Sequence, residues 1–353
     1  MEKKMLATLS IDKPMLKTRT RKRRSRYYRT AFEERQSINS TQKDLETIFR
    51  VFGPEHQFNY VTAEIIATIT GRYHDRLVKR LRQLWDCKEE YLNRHIQQNN
   101  QLGGSKKAIY YLDRGGVAVL NEYFAEELVK PLRPLDVDPH SYKPEMDHMI
   151  ATNRFHALAL VASRHQAGVE LKYHRMDHKF PIHFEVTQPK FQATIDADFF
   201  FGLARTGKPT RNFFVELVRP SRKTGYSQYD RVADTALKNG QDKLPVSRVR
   251  SLTTKFRDYF YFYQLRGYKN FPNKKHPEIE TLEAMRVLVL CDDMSEKQFR
   301  NVISIANHVV RGSKTKRLFW FAKTSDFDLK NSQSFFARVW ITVIEGEKMS
   351  VLT

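Results

Sequence analysis

The run Asn212-Phe-Phe-Val-Glu-Leu-Val218 constrains this chain more than any other segment. It reads as a strand whose apolar positions are broken by Glu216 alone, and a carboxylate inside an otherwise buried strand costs several kcal/mol in effective desolvation unless a cation or a hydrogen-bond donor meets it. The fold must therefore deliver a partner to Glu216. Upstream, Ala193-Thr-Ile-Asp-Ala-Asp-Phe-Phe-Phe-Gly-Leu203 reads as a second strand carrying Asp196 and Asp198, and the polar turn from Arg205 to Arg211 joins the two. Asp196 and Glu216 on neighbouring strands form a candidate divalent-cation site, with a lysine or arginine as the alternative partner.

The flanking pattern sets the architecture. A helix over 146–165 places Met149, Ile150, Phe155, Leu158, Ala159 and Ala162 on its apolar side, and a strand over 169–173 follows. Helices over about 226–238 and 249–265, a strand over 286–291, an amphipathic helix over 295–310 and a strand over 317–322 complete the chain. Strand and helix alternating in this way argue for an α/β sheet with a parallel part. Glu170, in the strand before the acidic pair, is a further candidate carboxylate for the cluster. The aromatic run 259–263 fits the packed side of a helix, or stacking platforms for single-stranded bases. His174, His178 and His183 fall in a stretch that reads as exposed polar loop, with metal binding as the alternative.

Residues 40–130 read as a winged helix-turn-helix. Ser40 or Thr41 caps a helix with Leu45, Ile48, Phe49 and Phe52 inward, which Gly53-Pro54 ends. Thr62 caps a second, with Ile65, Ile66 and Ile69 inward, and Gly71 supplies the turn. A third helix over about 73–85 buries Leu77, Leu81 and Leu84, leaving Arg76, Lys79, Arg80 and Gln83 on its outer faces, with Arg72 just ahead of it. Strands over 90–94 and 108–112 flank a polar loop whose tip carries Lys106 and Lys107, and a further amphipathic helix follows. A third helix of this kind fits the major groove while the lysines meet phosphate. A protein-binding module of the same shape is the alternative.

Charge points the same way. The 353 residues hold 61 Lys and Arg against 40 Asp and Glu, a net +21, so the natural partner of the surface is a polyanion, nucleic acid ahead of an acidic membrane. Residues 1–39 read as a disordered basic arm. Eleven Lys or Arg fall within residues 1–30 against only Glu2 and Asp12, and Arg21, Lys22, Arg23 and Arg24 form its densest part. Four prolines within 131–146 mark a linker, and the second domain runs over 147–353. Two cysteines, Cys87 and Cys291, exclude a disulfide framework and fit a reducing cytoplasm. No apolar run approaches the roughly 18 residues a membrane span needs, so neither export nor insertion is expected.

The N-terminal module, the pair Asp147-His148, the phrases Ile195-Asp-Ala-Asp-Phe199 and Phe213-Phe-Val-Glu216, and Lys255 on a helix with Tyr259 and Tyr263 together resemble the replication-relaxation family over roughly residues 40–325. Its members are encoded mainly on plasmids and integrating elements and are associated with replication or DNA relaxation. The second domain is similar in layout to the restriction-endonuclease-like fold, whose active members use Asp and then Glu-x-Lys to hold magnesium and activate water. The resemblance implies Asp196 and Glu216 as metal ligands for magnesium, and double-stranded DNA as partner. Replication or relaxosome proteins and a second copy of the chain are further candidate partners. The lysine two residues after the glutamate is absent, because Val218 stands there; Lys255 is the candidate replacement. An active set of Asp196, Glu216 and Lys255 and a satisfied structural ion pair are the two readings of this cluster. The functions in view are a DNA-binding protein of a mobile element acting in replication, relaxation or transfer, a metal-dependent nickase, and a transcriptional regulator.

Overall fold

Helix α1 (Gln42–Phe52) opens on a capping box in which the Thr41 side chain accepts from the Asp44 N–H and the Asp44 carboxylate accepts from the Thr41 N–H. The structure, a computed structural model, describes residues 29–54, 56, 58–95, 107–126, 128, 130–135, 144–176, 182–187, 190–220, 251–270 and 284–352. The short strand β1 (Val61–Thr62) leads directly into α2 (Ala63–Thr70), whose first turn is capped by Thr62. Gly71, at φ +68°, ends α2 in the left-handed conformation that glycine adopts at little cost, and the chain turns into α3 (His74–Trp85). Strands β2 (Leu92–Arg94) and β3 (Ile109–Leu112) pair antiparallel, and β1 adds to the far edge of β3. A two-residue strand carries no alternation to read, and the sequence gives no sign of β1. Helix α4 (Arg114–Tyr123) follows, capped by Asp113.

Leucines and isoleucines at helical spacing knit this half together. Ile48, Val51, Ile65, Ile66, Leu77, Leu81, Leu84 and Leu120 share one core. Ala157 and Leu160 of α5 (Pro144–His165) enter the same core, while Phe155, Leu158, Ala159 and Ala162 face the second half. Helix α5 thus packs against both halves. It starts at Pro144, inside the stretch that reads as a linker; proline suits a first helical turn because its missing N–H would have no helical partner there. Residues 136–143 of that stretch lie outside the described residues.

The second half is built on strands β4 (Val169–Met176), β5 (Ile182–Thr187), β6 (Lys190–Ile195), β7 (Phe199–Arg205) and β8 (Lys208–Val218). Helix α6 (Leu252–Gln264), strand β9 (Met285–Cys291), helix α7 (Glu296–Val309), and strands β10 (Phe319–Lys323), β11 (Trp340–Ile341) and β12 (Lys348–Met349) follow. Seven strands form one sheet in the order β12-β11-β10-β9-β8-β7-β4, with β8, β9 and β10 parallel and the other pairs antiparallel. Helices α6 and α7 cover one face, where Phe256, Phe262, Phe299 and Val302 meet Phe214, Val287 and Phe321. Helix α5 covers the other, against Phe199, Phe213, Val215, Leu288 and Trp320. Alternation of side chains along β8 explains how one strand serves both layers. The chain is therefore a mixed α/β protein. Among the described residues, no helix is long and apolar enough to cross a membrane.

Two expectations need correction. The strand over 193–203 is two strands: among the described residues β6 pairs with β5 alone, β7 joins the large sheet, and Asp196 to Asp198 form the corner between them. A continuous run of strand-forming residues conceals this change of partner. Glu170 pairs with Ala204, whereas Phe199 pairs with Val215, so Glu170 sits at the opposite end of β7 from the acidic centre, about 16 Å away at strand rise. The expected helix over 226–238 lies outside the described residues.

Candidate active site and nucleic-acid interface

Strands β8, β9 and β10 end in register, Val218 beside Cys291 and Cys291 beside Lys323, and the acidic centre lies at this carboxyl end. Open α/β sheets present ligand crevices at such ends, because the loops leaving the strands are free to vary. Glu216, 1% exposed, reaches this level from β8. Lys255, near the start of α6, donates from Nζ to its Oε2 at 2.6 Å, and the Tyr259 hydroxyl, one helical turn on, donates to Oε1 at 2.7 Å. The i, i+4 spacing sets both donors on one face of α6. The lysine and the glutamate expected to meet do so.

Asp198 is the buried carboxylate that completes the group, while the expected Asp196 adds its charge to the field at Lys255 and Tyr259. Its Oδ2 accepts from the Leu217 backbone N–H at 2.6 Å, and its Oδ1 accepts from His148 Nε2 of α5 at 2.9 Å, which requires the ring proton on Nε2. Asp198 is 7% exposed, whereas Asp196 stands exposed at the corner. The period-2 pattern puts both on one face of a strand and cannot separate them; the corner does. His148 enters the site from the opposite layer to Lys255, a meeting that no local spacing announces.

The electrostatics are those of a crowded site. Burial pushes the Glu216 carboxyl above the usual carboxylate range and the Asp198 charge adds to this, while Lys255 and Tyr259 pull it back only in part. Asp198 resists burial: the His148 hydrogen bond, the charges of Lys255 and His148 and the Leu217 N–H hold it below its ordinary value. Burial opposes the charge on Lys255, but Glu216 and Asp198 override it and raise its pKa. His148 is likewise raised, by its bond to Asp198 against the pull of burial. A second ionic chain borders the centre, where Arg219 lies 3.2 Å from Asp292 and 3.6 Å from Asp147. Among the described residues, no cluster of three or more His, Cys, Asp or Glu is placed to hold a metal ion.

The histidines read as polar loop behave differently. His174 lies in β4 with its Nδ1 3.1 Å from Nε2 of the buried His156, and the His56 ring lies nearby, tilted at 44° with 5.3 Å between the His56 and His174 ring centroids. His178 lies outside the described residues, and the His183 backbone belongs to β5. In the aromatic run, Tyr259 and Phe262 are buried in the core.

On α3, Arg76, Lys79 and Gln83 are exposed, as expected, and so are Arg82 and the 69% exposed Tyr73 at the helix start. Arg80 is corrected: its Nε and Nη2 donate to the fully buried Asp44 at 3.0 and 2.7 Å, and its Nη1 donates to Gln83. Arg72 serves the same carboxylate, at 3.4 Å, and donates to the Thr47 hydroxyl at 2.9 Å. A buried carboxylate draws in the nearest guanidinium groups, so neither is free to reach a base edge. Lys107 Nζ lies 2.6 Å from Glu64. Lys106, Arg21, Lys22, Arg23 and Arg24 lie outside the described residues. No family model, curated protein or solved structure matches the chain.

Proposed function

We propose that this protein binds double-stranded DNA through an N-terminal winged helix and nicks it in a metal-dependent reaction at a restriction-endonuclease-like second half. Its setting is the replication, relaxation or transfer of a plasmid or other mobile element. One observation carries the reading: Asp198, Glu216 and Lys255, from three separate elements, converge at the carboxyl end of the parallel strands. The net charge of +21 and the exposed Arg76 and Lys79 support a polyanionic partner. The resemblance to the replication-relaxation family supports the mobile-element setting.

The donor set fits magnesium. That ion takes oxygen ligands and is usually held by one or two carboxylates together with water and substrate phosphate. Asp198 and Glu216 supply such oxygens; burial raises the Glu216 pKa and the Asp198 charge adds to it, a penalty on the paired carboxylates that a cation would relieve. A bound magnesium supplies charge at a phosphate oxygen and acidifies a water. The chain's own residues do the rest. His148 and the Leu217 N–H hold Asp198 in one orientation, Tyr259 holds Glu216, and the Lys255 ammonium is a fixed positive charge for the developing negative charge of the phosphorane.

Supercoiled plasmid incubated with the full-length protein in magnesium is expected to become open circular, and neither EDTA nor Asp198→Asn should permit it. A second reading has its own observation, since both oxygens of Asp198 and both of Glu216 already accept hydrogen bonds. That favours a DNA-binding regulator or replication partner without cleavage, and site-specific binding with no nicking by the wild type marks it.

A further inference from the structure

Between α3 and the β2–β3 pair lies a cleft of about 320 Å³. Arg82 and His74 line it from α3, Lys107 from the approach to β3, and Arg94 from β2. Arg94 is 5% exposed and its guanidinium carbon lies 3.8 Å from the centre of the Trp85 ring. The indole fixes the guanidinium plane, as stacked arginines require. Burial lowers the Arg94 pKa, Tyr110 and Asp86 act in the other direction, and the neighbouring Arg82 adds repulsion. Among the lining residues Glu64 is the one carboxylate, and it is engaged by Lys107 at 2.6 Å. The first turn of α2, the positive end of that helix, borders the same space. Three permanent cations therefore face one anion in a recess large enough for a tetrahedral group.

We propose that this cleft is a phosphate seat, in which Arg82 and the Trp85-backed Arg94 receive a phosphodiester group of a DNA strand and Lys107 exchanges Glu64 for the same group. The proposal rests on the DNA-binding reading and deepens it. Arginine forks match phosphate oxygens pairwise, which a single surface lysine does not. The exposed Arg76 and Lys79 would meet the duplex from α3, while the seat fixes the strand passing the hairpin. Sequence periodicity assigns Arg82 no role, and Arg94 reads as an ordinary strand residue; only the fold brings them together.

The test measures binding of two fluorescent duplexes of unrelated sequence to the full-length protein across a salt series. The variants are Arg82→Ala, Lys107→Ala, Glu64→Gln and the double variant Arg76→Ala with Lys79→Ala. Arg82 is exposed, so its removal leaves the core intact, and a thermal melt checks this. Arg82→Ala is expected to weaken both duplexes by the same factor and to reduce the log–log salt slope by about one. Glu64→Gln is expected to tighten both. If Arg82→Ala and Lys107→Ala keep the wild-type slope while the double variant binds weakly, the seat is overturned and the DNA-binding reading stands. Loss confined to one duplex sequence would make Arg82 a base reader and overturn the seat as well. A wild type that binds neither duplex overturns both. Inorganic phosphate, compared with chloride at equal ionic strength, separates the sources: Arg82-dependent displacement of DNA by free phosphate is expected of a seat that holds the backbone, whereas phosphate binding that depends on Arg82 and leaves DNA affinity unchanged would assign the cleft to the free ion and overturn the backbone assignment.

Discussion

Two of the buried carboxylate sites, one in each half of the molecule, are built in opposite ways. Asp44, in α1, is fully buried and is met by Thr41, Arg72 and Arg80. Burial works against its charge, but Arg80 and Thr41 hold its pKa below the ordinary value. Glu216 shares its site with Asp198, and its pKa is raised. The first arrangement neutralises itself and braces a helix; the second concentrates negative charge at the mouth of a sheet. Burial of an acid is therefore no guide to its role. The sign of the balance around it separates a brace from a site that gains from an added cation.

The comparison breaks most sharply in catalysis. Glu216→Gln should reduce nicking at least about 100-fold while leaving the DNA affinity of the full-length protein nearly unchanged, as measured by plasmid nicking and by anisotropy. Equal nicking by the variant would place both carboxylates in the same structural class. Asp44→Ala should act in the reverse sense, lowering folding stability by about 2 kcal/mol in denaturant melts. That is below the cost of breaking a fully buried pair, because Arg72 and Arg80 are partly exposed and regain water.

A smaller effect separates the two kinds of arginine and lysine on the N-terminal half. Replacing Arg76 and Lys79 together by alanine should weaken duplex binding by at least about 1 kcal/mol without lowering the melting temperature. Arg80→Ala should instead lower the melting temperature, since its guanidinium serves Asp44. The smallest expected effect is on pH dependence. Because the folded pKa of Asp44 lies below its unfolded value near 4, its contribution is complete above that value and is lost as pH falls through the folded pKa. Acid titration of stability should therefore show a shallower decline for Asp44→Asn than for the wild type; parallel curves would deny Asp44 this role.

Much of this was legible from local pattern. Helices α1 to α3, the hairpin strands, the sheet strands β8 and β9 and the partnership of Glu216 with a lysine follow from spacing and from the cost of an unmet charge. What was hidden depended on distant chain segments. Asp196 and Asp198 are indistinguishable until the chain changes sheets between them. His148 faces Asp198 only because α5 lies across the strands, and Arg80 looks free until Asp44 is known to be buried beside it. Val218 hid the lysine in the opposite sense, since the cation comes from a helix residue 39 positions after Glu216.

The most direct test is calorimetric titration of a divalent cation into the full-length protein bound to duplex DNA, with calcium and magnesium in parallel. The wild type and Asp44→Asn should take up the ion, and Asp198→Asn and Glu216→Gln should lose that uptake. A wild type that binds no cation, or carboxylate variants that bind it as well as the wild type, would contradict a metal-dependent centre at Asp198 and Glu216.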